Sequence, residues 1–466
     1  MPFLFLVAAL SVVIYVFGTD ALSGASQVAL LFAAGFTVVL AMVLYRIPWK
    51  VFEESILDNI TSIGTSIVIL LLIGAVSGSW MISGVVPTMI YYGMKVIFPE
   101  IFLFASCIIS ALIAVMTGSS WTTIATIGVA LVGIGTAQGY EPGWIAGAII
   151  SGAYFGDKVS PLSDTTVLAS SSTGTPLFSH IKFMMVTTVP SFLITLVIFL
   201  VASLLHDEPS TAMVADFSSD LRTSFNISPW LLLVPVLTGV LIARKVSAIA
   251  TLFIAAVIAG VAALVFQPHV IGSIAGNDGV GLSFVEGFKG MSIMYYGATA
   301  VDTGNEALNS LVSTRGMTGM LNTVFLIIAA SCFGGTLVGS GMLQSLTDAL
   351  VRFVHKRVSM VASTVGTGIF ANMITGDQYL SILLTSSLYK KLYQERGYES
   401  KLLSRSVEDS ATVTSVLIPW NSCGMTQATV LKVPTLEYLP YCFFNIISPL
   451  MSIFIAAIGY KIVRNK

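Results

Sequence analysis

The chain has 466 residues, of which 55% are hydrophobic and 10% are charged, and its formal net charge is −1. A soluble domain carries roughly 25% charged residues, so this composition excludes an ordinary soluble protein. The near-neutral charge balance does not indicate binding to nucleic acid. Because apolar runs of about 20 residues recur along the chain, the sequence predicts an all-α polytopic membrane protein in a lipid bilayer.

The apolar runs predict about fourteen membrane-spanning segments, and the first, 3–17, is interpreted as a retained span rather than a removable signal. Two amphiphilic segments, near 118–136 and 376–392, are bounded by Gly and Ser/Thr and are predicted to be re-entrant hairpins. Segment 267–317 is predicted to be an outside loop with a surface helix. The other predicted spans are 27–45, 60–83, 85–98, 101–117, 143–177 (broken), 183–205, 229–243, 246–266, 318–338, 342–354, 359–375, 405–431 (broken) and 438–460.

Basic residues concentrate in alternate loops, and this pattern predicts the orientation of the chain. Arg46, Lys182 and Lys390 fall in loops assigned to the cytoplasm, whereas the loop 206–228 is acidic. Both termini are therefore predicted to be cytoplasmic, with the protein in the cell membrane. Lys356 lies on the outer side in this layout, against the general trend.

Three landmarks recur at a nearly constant spacing. This spacing predicts two inverted repeats, 1–228 and 229–466, each with one hairpin and one broken helix. An odd number of spans in each half would invert the second half in the membrane. The alternative explanation of the repeated landmarks is chance similarity between Gly-rich spans. The matched stretches are 82–84 with 339–341 (offset 257), 117–118 with 375–376 (offset 258) and Asp157 with Asp409 (offset 252).

The segment 156–166 is polar but lies within apolar sequence, in the first broken span. Charge inside a membrane span is costly and usually marks a pathway for an ion or a polar substrate. Pro161 breaks the helix and frees backbone groups for binding. Asp157 and Asp164 are the predicted Na⁺ ligands, and a structural ion pair of Asp157 with Lys158 or with another helix is the alternative. The predicted ion-binding and proton-coupling residues are Asp157, Ser160, Ser163, Asp164, Thr165 and Thr166.

The second broken span and the two hairpins carry mostly neutral polar groups. Free amides and hydroxyls at helix N-termini bind anions, which predicts contacts with a solute. Two alternatives stay open: Glu408 and Asp409 lie at the cytoplasmic water boundary, or the small hairpin residues only permit close helix packing. The predicted substrate-binding residues are Thr117, Ser119, Ser120, Trp121, Asp377, Gln378, Asp409, Trp420, Asn421 and Ser422.

Several of these stretches together resemble the signature of the NhaC-type Na⁺/H⁺ antiporter family. That family lies in the ion-transporter superfamily and includes Na⁺-lactate/malate-H⁺ antiporters. The resemblance covers most of the chain and implies a two-repeat fold with hairpins and an elevator-type transport domain. It departs after Thr166, where a polar residue such as Asn is expected and Val167 stands. The matching stretches are 156–166, 174–175, 180–181, 117–121 and 419–422.

The sequence therefore predicts a secondary active transporter and not an enzyme. The first expectation is Na⁺/H⁺ antiport through a midplane carboxylate, which binds Na⁺ when ionised and cannot bind it when protonated. Such competition near neutral pH requires burial to disfavour the charged form. The alternative is a Na⁺- or H⁺-coupled transporter or exchanger of a small carboxylate or amino acid.

An intramembrane hydrolase with Ser119 or Ser120 as nucleophile is a distant alternative, because no histidine is predicted at membrane depth to act as its base. No cofactor is expected beyond Na⁺ as the transported or coupling ion. The expected partners are the bilayer, Na⁺, H⁺ and a small organic solute, and a homodimer is left open.

Overall fold

The computed structural model describes residues 1–17, 24–206, 211–276, 282–342, 345 and 356–461. In these residues the regular structure is helical, apart from isolated bridge residues such as the antiparallel pair Thr299 and Thr314. Eight of the described helices are long and apolar enough to cross a membrane, or up to ten if two bent pairs each count as one span. The fold is therefore that of an all-α, multi-pass membrane protein, as predicted.

Most of the predicted spans coincide with a helix, or with the two parts of a broken helix, to within a few residues. The amphipathic helix Trp49–Ser62, which packs against Leu321–Gly339, was not predicted. Residues 124–128 and 408–412 are π-helical. The helices of the described residues are Pro2–Phe17, Ala25–Tyr45, Trp49–Ser62, Gly64–Ile82, Val85–Val96, Phe102–Thr117, Ser120–Thr123, Val129–Ala137, Pro142–Val159, Asp164–Thr173, Leu177–Leu204, Thr211–Ser224, Leu233–Ala243, Ala248–Phe266, Pro268–Ala275, Phe284–Tyr296, Glu306–Val312, Gly316–Gly319, Leu321–Gly339, Arg357–Thr375, Gln378–Glu395, Ser400–Val407, Ser422–Leu431, Thr435–Tyr438 and Phe443–Ile458.

The predicted count of about fourteen spans is not confirmed. Val85–Val96 has 12 residues, which is too short for a bilayer that requires about 20 helical residues. The predicted span 229–243 is one arm of a helix pair that bends by 90°. The predicted span 342–354 falls almost entirely outside the described residues.

Segment 267–317 is more ordered than the predicted outside loop with a surface helix. It forms several short helices, and two of its parts pack closely against the helix Gly64–Ile82. A Cβ added to Gly74 would lie 2.6 Å from the Gly316 carbonyl oxygen, so this contact requires a glycine. Met294 is fully buried in the same region. These helices are too short to give the hydropathy signal of a span, and the sequence therefore did not reveal them.

Each predicted hairpin segment is the second of two helices joined at a tight turn, and the first of these segments, Ser120–Ala137, is long and apolar enough to count among the eight candidate spans. Gly118 and Gly376 each end a helix with a φ of +65°, a left-handed conformation that favours glycine. The polar turn therefore lies at the start of each predicted hairpin segment rather than in its middle. We call residues 117–123 the first tip and residues 375–381 the second tip.

Both predicted broken helices are interrupted in the structure. The helix Pro142–Val159 ends before Pro161, and a new helix begins at Asp164. A second interruption precedes the helix Ser422–Leu431 and contains Pro419. The missing amide of proline and its clash with the preceding turn account for both interruptions. We call residues 160–163 the first break and residues 418–421 the second break.

The local backbone repeats at a spacing of 258 residues. This register places the first tip on the second tip and the first break on the second break. It pairs Asp157 with Ser415, so the predicted pairing of Asp157 with Asp409 was wrong. The repeat boundaries 1–228 and 229–466, and the inversion of one half in the membrane, stay predictions. The matched positions are Gly118 with Gly376, Gly139 with Gly397, Pro161 with Pro419, and Gly174 with Lys432.

Small residues bring the first break against the first tip. A Cβ added to Gly156 would lie 2.5 Å from the Ala114 Cβ, so the helix carrying Gly156 approaches Phe102–Thr117 more closely than a larger residue allows. This close packing places the end of the helix Pro142–Val159 beside the turn at Gly118.

Candidate ion-binding site

The carboxylate of Asp157 lies where the first tip meets the first break. It is 5% exposed. Its Oδ2 accepts hydrogen bonds from the Ser120 backbone N–H at 3.0 Å and from the Ser120 hydroxyl at 2.7 Å. Its Oδ1 accepts from the Ser163 hydroxyl at 2.6 Å. Three donors converge on a group that, when ionised, can only accept.

The first tip is shaped by local hydrogen bonds that direct one amide toward Asp157. The Thr117 hydroxyl accepts from the Ser119 N–H at 3.2 Å and lies 3.1 Å from the Thr123 hydroxyl. Ser119 then caps the next helix through its side chain. The N–H of Ser120 is one of the helix-terminal donors that lack an intrahelical acceptor, and it is satisfied by Asp157.

Two predicted ion-binding residues satisfy backbone groups at the first break. The Ser160 hydroxyl donates to the Val115 carbonyl at 2.8 Å. The Thr166 hydroxyl donates to the Lys158 carbonyl at 3.0 Å. Because the helix is interrupted, this carbonyl has no intrahelical donor. Ser160 and Thr166 therefore hold the shape of the break, and neither is among the described residues that line the adjacent cavity.

A cavity of about 220 Å³ opens onto Asp157. Asp164 is exposed and lines it, so both predicted Na⁺ ligands reach the same space. Lys245, in the connection before Ala248–Phe266, lines it as well. This arrangement brings together residues that are more than 200 positions apart in the sequence. The predicted site residues that line the cavity are Thr117, Ser119, Trp121, Asp157, Asp164, Thr165 and Gln378.

The second tip packs on the second break. Asp377 accepts from the Leu380 N–H at 3.0 Å and from the Ser422 hydroxyl at 3.3 Å. Asn421 accepts from the Cys423 N–H at 3.0 Å. These side chains cap helices within a buried region, and among the described residues they do not line the cavity.

Two further predicted substrate residues lie at the same contact. The indole N–H of Trp420 donates to the Met373 carbonyl at 2.7 Å. The Gln378 carbonyl oxygen accepts from the Ser415 hydroxyl at 3.4 Å, and this side chain lines the cavity. Gln378 is therefore the predicted residue of the second tip that is placed to meet a solute.

A buried ion pair links the two broken helices. The Lys158 ammonium group donates to Asp409 Oδ1, and it also donates to the Ser448 hydroxyl at 2.9 Å. Thr187 donates to the same carboxylate at 3.1 Å. Arg405 Nε lies 3.8 Å from Asp409 Oδ2. The charged side chains of Lys158, Arg405 and Asp409 are fully buried. We call these three residues the ion-pair cluster.

The ion-pair cluster and its surroundings bear on three expectations from the sequence. Asp409 is buried against Lys158, so it lies neither at a water boundary nor on the cavity, and its substrate contact stays a prediction. Lys158 does not pair with its neighbour Asp157, because adjacent residues on a helix point to different sides. His180 is fully buried and lies 2.8 Å from the Ser404 hydroxyl, although no histidine was predicted at membrane depth.

Glu408 was missed as a buried carboxylate of the site. Its side chain is fully buried, and its Oε1 lies 3.4 Å from the Thr165 hydroxyl oxygen. The available signal was its place beside Asp409 in the second broken span. The sequence spacing could not indicate that Glu408 lies near the first break, 243 residues away.

The chain matches known transporters over most of its length. The family model described as "Na+/H+ antiporter family" matches residues 152–460. The chain is 37% identical to the Na⁺/H⁺ antiporter NhaC of Bacillus subtilis, over 89% of this chain and 88% of that protein. It is 33% identical to the malate-2H⁺/Na⁺-lactate antiporter of the same organism, over 90% and 86%. It is 31% identical to the arginine/ornithine antiporter ArcD of Halobacterium salinarum, over 99% and 91%.

These relatives are antiporters that work on ions and small solutes. The motif 156–166, on which the sequence resemblance rests, lies within the matched region and forms the first break and the helix ends beside it. The chain therefore belongs to the Na⁺/H⁺ antiporter family, whose members are membrane transporters and not enzymes.

Proposed function

We propose that this protein is a secondary active transporter that exchanges Na⁺ for H⁺ at a buried carboxylate site centred on Asp157. The observation that carries the proposal is the junction of the first tip with the first break. There a carboxylate, two hydroxyls and a helix-terminal amide converge at the wall of a cavity. The match to NhaC of Bacillus subtilis supports the choice of ions.

Na⁺ is a hard cation and prefers oxygen ligands such as carboxylates and hydroxyls. Asp157 and Asp164 supply the negative charge at the cavity, and Ser119 and Thr117 supply neutral oxygens on its wall. A site that has lost a proton gains a negative charge for the cation, so Na⁺ and H⁺ bind in competition. By thermodynamic linkage, a proton gradient then drives Na⁺ movement in the opposite direction.

Ion-coupled exchange of a small carboxylate or amino acid is the second candidate. A cavity of about 220 Å³ has room for more than a bare ion, and it carries Lys245, Gln378 and Tyr379 besides the carboxylates. The names of two relatives, a malate-2H⁺/Na⁺-lactate antiporter and an arginine/ornithine antiporter, support a solute of this class.

The transport cycle that we propose uses the two halves as inverted repeats, with re-entrant hairpins and an elevator-type movement of the tips and breaks. The spacing of 258 residues between matched helix ends supports two related halves. We place the protein in the cell membrane with both termini in the cytoplasm, following the distribution of Lys and Arg in the sequence.

The experiment is ion exchange in proteoliposomes that contain the purified protein and an internal pH dye. External Na⁺ should move the internal pH, whereas K⁺ should not. Li⁺, small carboxylates and amino acids are then added in turn. A pH change that requires a solute in addition to Na⁺ would support the second candidate, and no response to Na⁺ under any condition would contradict Na⁺/H⁺ exchange.

A further inference from the structure

Glu408 is a fully buried carboxylate with few hydrogen-bond partners. Its Oε1 receives one long contact, from the Thr165 hydroxyl at 3.4 Å. In the part of the chain that the structure describes, no hydrogen bond of good geometry reaches Oε2, although the Thr412 hydroxyl on the same segment lies near enough to interact with this carboxyl. An ionised carboxylate buried in this way is costly, whereas a protonated one can donate. Asp157, with three donors, has the opposite environment.

A row of two hydroxyls connects Glu408 to Asp157. Ser163 donates to Asp157 at 2.6 Å, and its oxygen lies 2.9 Å from that of Thr165. Each hydroxyl has a single hydrogen. Since Ser163 has already given its hydrogen to Asp157, the contact between the two hydroxyls must use the hydrogen of Thr165. The contact with Glu408 is then a hydrogen bond only if Glu408 carries a proton and donates it to Thr165.

We propose that Glu408 holds the proton that this transporter exchanges, and that the Thr165 hydroxyl passes it to the cavity while Asp157 holds Na⁺. Thr165 both lines the cavity and contacts Glu408. In the release step, the Thr165 hydroxyl turns from Ser163 to a water in the cavity and gives that water its hydrogen, while the Thr165 oxygen receives the proton of Glu408. Glu408 becomes a carboxylate, the water becomes hydronium, and uptake is the reverse. This inference rests on the proposed exchange at Asp157.

The surrounding charges couple the proton on Glu408 to the ion on Asp157. Two negative charges in a buried region of low dielectric repel each other, so a bare Asp157 carboxylate keeps the proton on Glu408. Na⁺ at Asp157 cancels that repulsion and allows the proton to leave. The helices Arg357–Thr375 and Phe443–Ile458 present the amides of Asn372 and Asn445 to the same segment. The other charged or titratable groups are Lys158, Arg405 and Asp409 of the ion-pair cluster, His180 beside that cluster, and Tyr393 beside Arg405.

The test counts protons released for each Na⁺ bound by the purified full chain, with a pH dye in weak buffer and ²²Na⁺ in parallel. The wild type should release about one proton per Na⁺, because one ionisable group changes state. Glu408→Gln should still bind Na⁺ at Asp157 but release at least about fivefold fewer protons, because the carboxamide has no proton to exchange. Release equal to that of the wild type would overturn the proposal.

Thr165 provides a matched pair of variants that leaves every charge in place. Thr165→Val removes the hydroxyl and should slow Na⁺-triggered proton release at least about tenfold in stopped flow, whereas Thr165→Ser should restore it. Equal rates in the two variants would overturn the inference, and this pair decides the matter if Glu408→Gln does not fold. If the wild type binds no Na⁺, or Asp157→Asn binds it normally, the proposed exchange at Asp157 fails instead.

Discussion

The ion pair between Lys158 and Asp409 joins two broken helices, and its two residues lie 251 positions apart in the sequence. Replacing either residue should lower the free energy of unfolding, but by different amounts. Lys158→Met leaves the Asp409 carboxylate with donors from Thr187 and Ser448 and with Arg405 at 3.8 Å. Breaking a buried pair costs about 3–5 kcal/mol, and these remaining partners place Lys158→Met near about 3 kcal/mol.

Asp409→Asn should be the more harmful change, because it leaves both Lys158 and Arg405 buried without a carboxylate. We expect a cost of about 5 kcal/mol, at the upper end of the range for an uncompensated buried charge. The double variant Lys158→Met/Asp409→Asn removes one of these two cations. It should therefore be more stable than Asp409→Asn alone, although it lacks one more native side chain.

The assay is equilibrium unfolding in detergent micelles, with the free energy of unfolding measured for the wild type, both single variants and the double variant. The cycle isolates the interaction between the two residues. Equal costs for the single variants, or a double variant destabilised by the full sum of both, would refute the assignment of Asp409 as the shared partner of Lys158 and Arg405.

Three further outcomes are expected. Asp164→Asn should weaken the apparent affinity for Na⁺ in exchange assays by about three- to tenfold, because an exposed charge acts through water. A loss of Na⁺ exchange as complete as that in Asp157→Asn would contradict this. Asn421→Ala removes a helix cap and should cost about 1 kcal/mol of unfolding free energy while the pH profile of exchange stays the same; a shifted profile would contradict it. Lys432→Met removes an ammonium group that donates to the carbonyls of Ser310, Leu311 and Ser313; because this side chain is exposed and water competes for it, the change should cost about 1 kcal/mol of unfolding free energy. Thermal unfolding measures this cost, with Lys391→Met, whose side chain pairs with Glu395 on its own helix, as the control that should show no change.

The sequence predicted the parts of this protein that depend on local chemistry. Apolar runs identified the membrane class, Pro161 and Pro419 marked both breaks, and the glycines at 118 and 376 marked both tips. Each of these signals is carried by a residue whose backbone preference determines the local conformation.

Contacts between residues far apart in the chain could not be predicted from the sequence. A pair of Asp157 with its neighbour Lys158 was the alternative to an ion site, yet Lys158 contacts Asp409 on another helix, and no spacing in the sequence indicated that partner. The contact of Glu408 with Thr165, 243 residues away, is likewise not visible in the sequence, and Glu408 was therefore missed. Short helices within 267–317 gave no span signal because their apolar runs are too short.

The most direct test of exchange at Asp157 is ²²Na⁺ binding to the purified protein across a range of pH. In the wild type the apparent Kd for Na⁺ should rise on acidification, approaching about tenfold per pH unit, because one proton and one ion exclude each other. Asp157→Asn should abolish saturable binding, while Asn421→Ala, at the second break, should keep the wild-type pH dependence. Wild-type binding with unchanged pH dependence in Asp157→Asn would contradict the account.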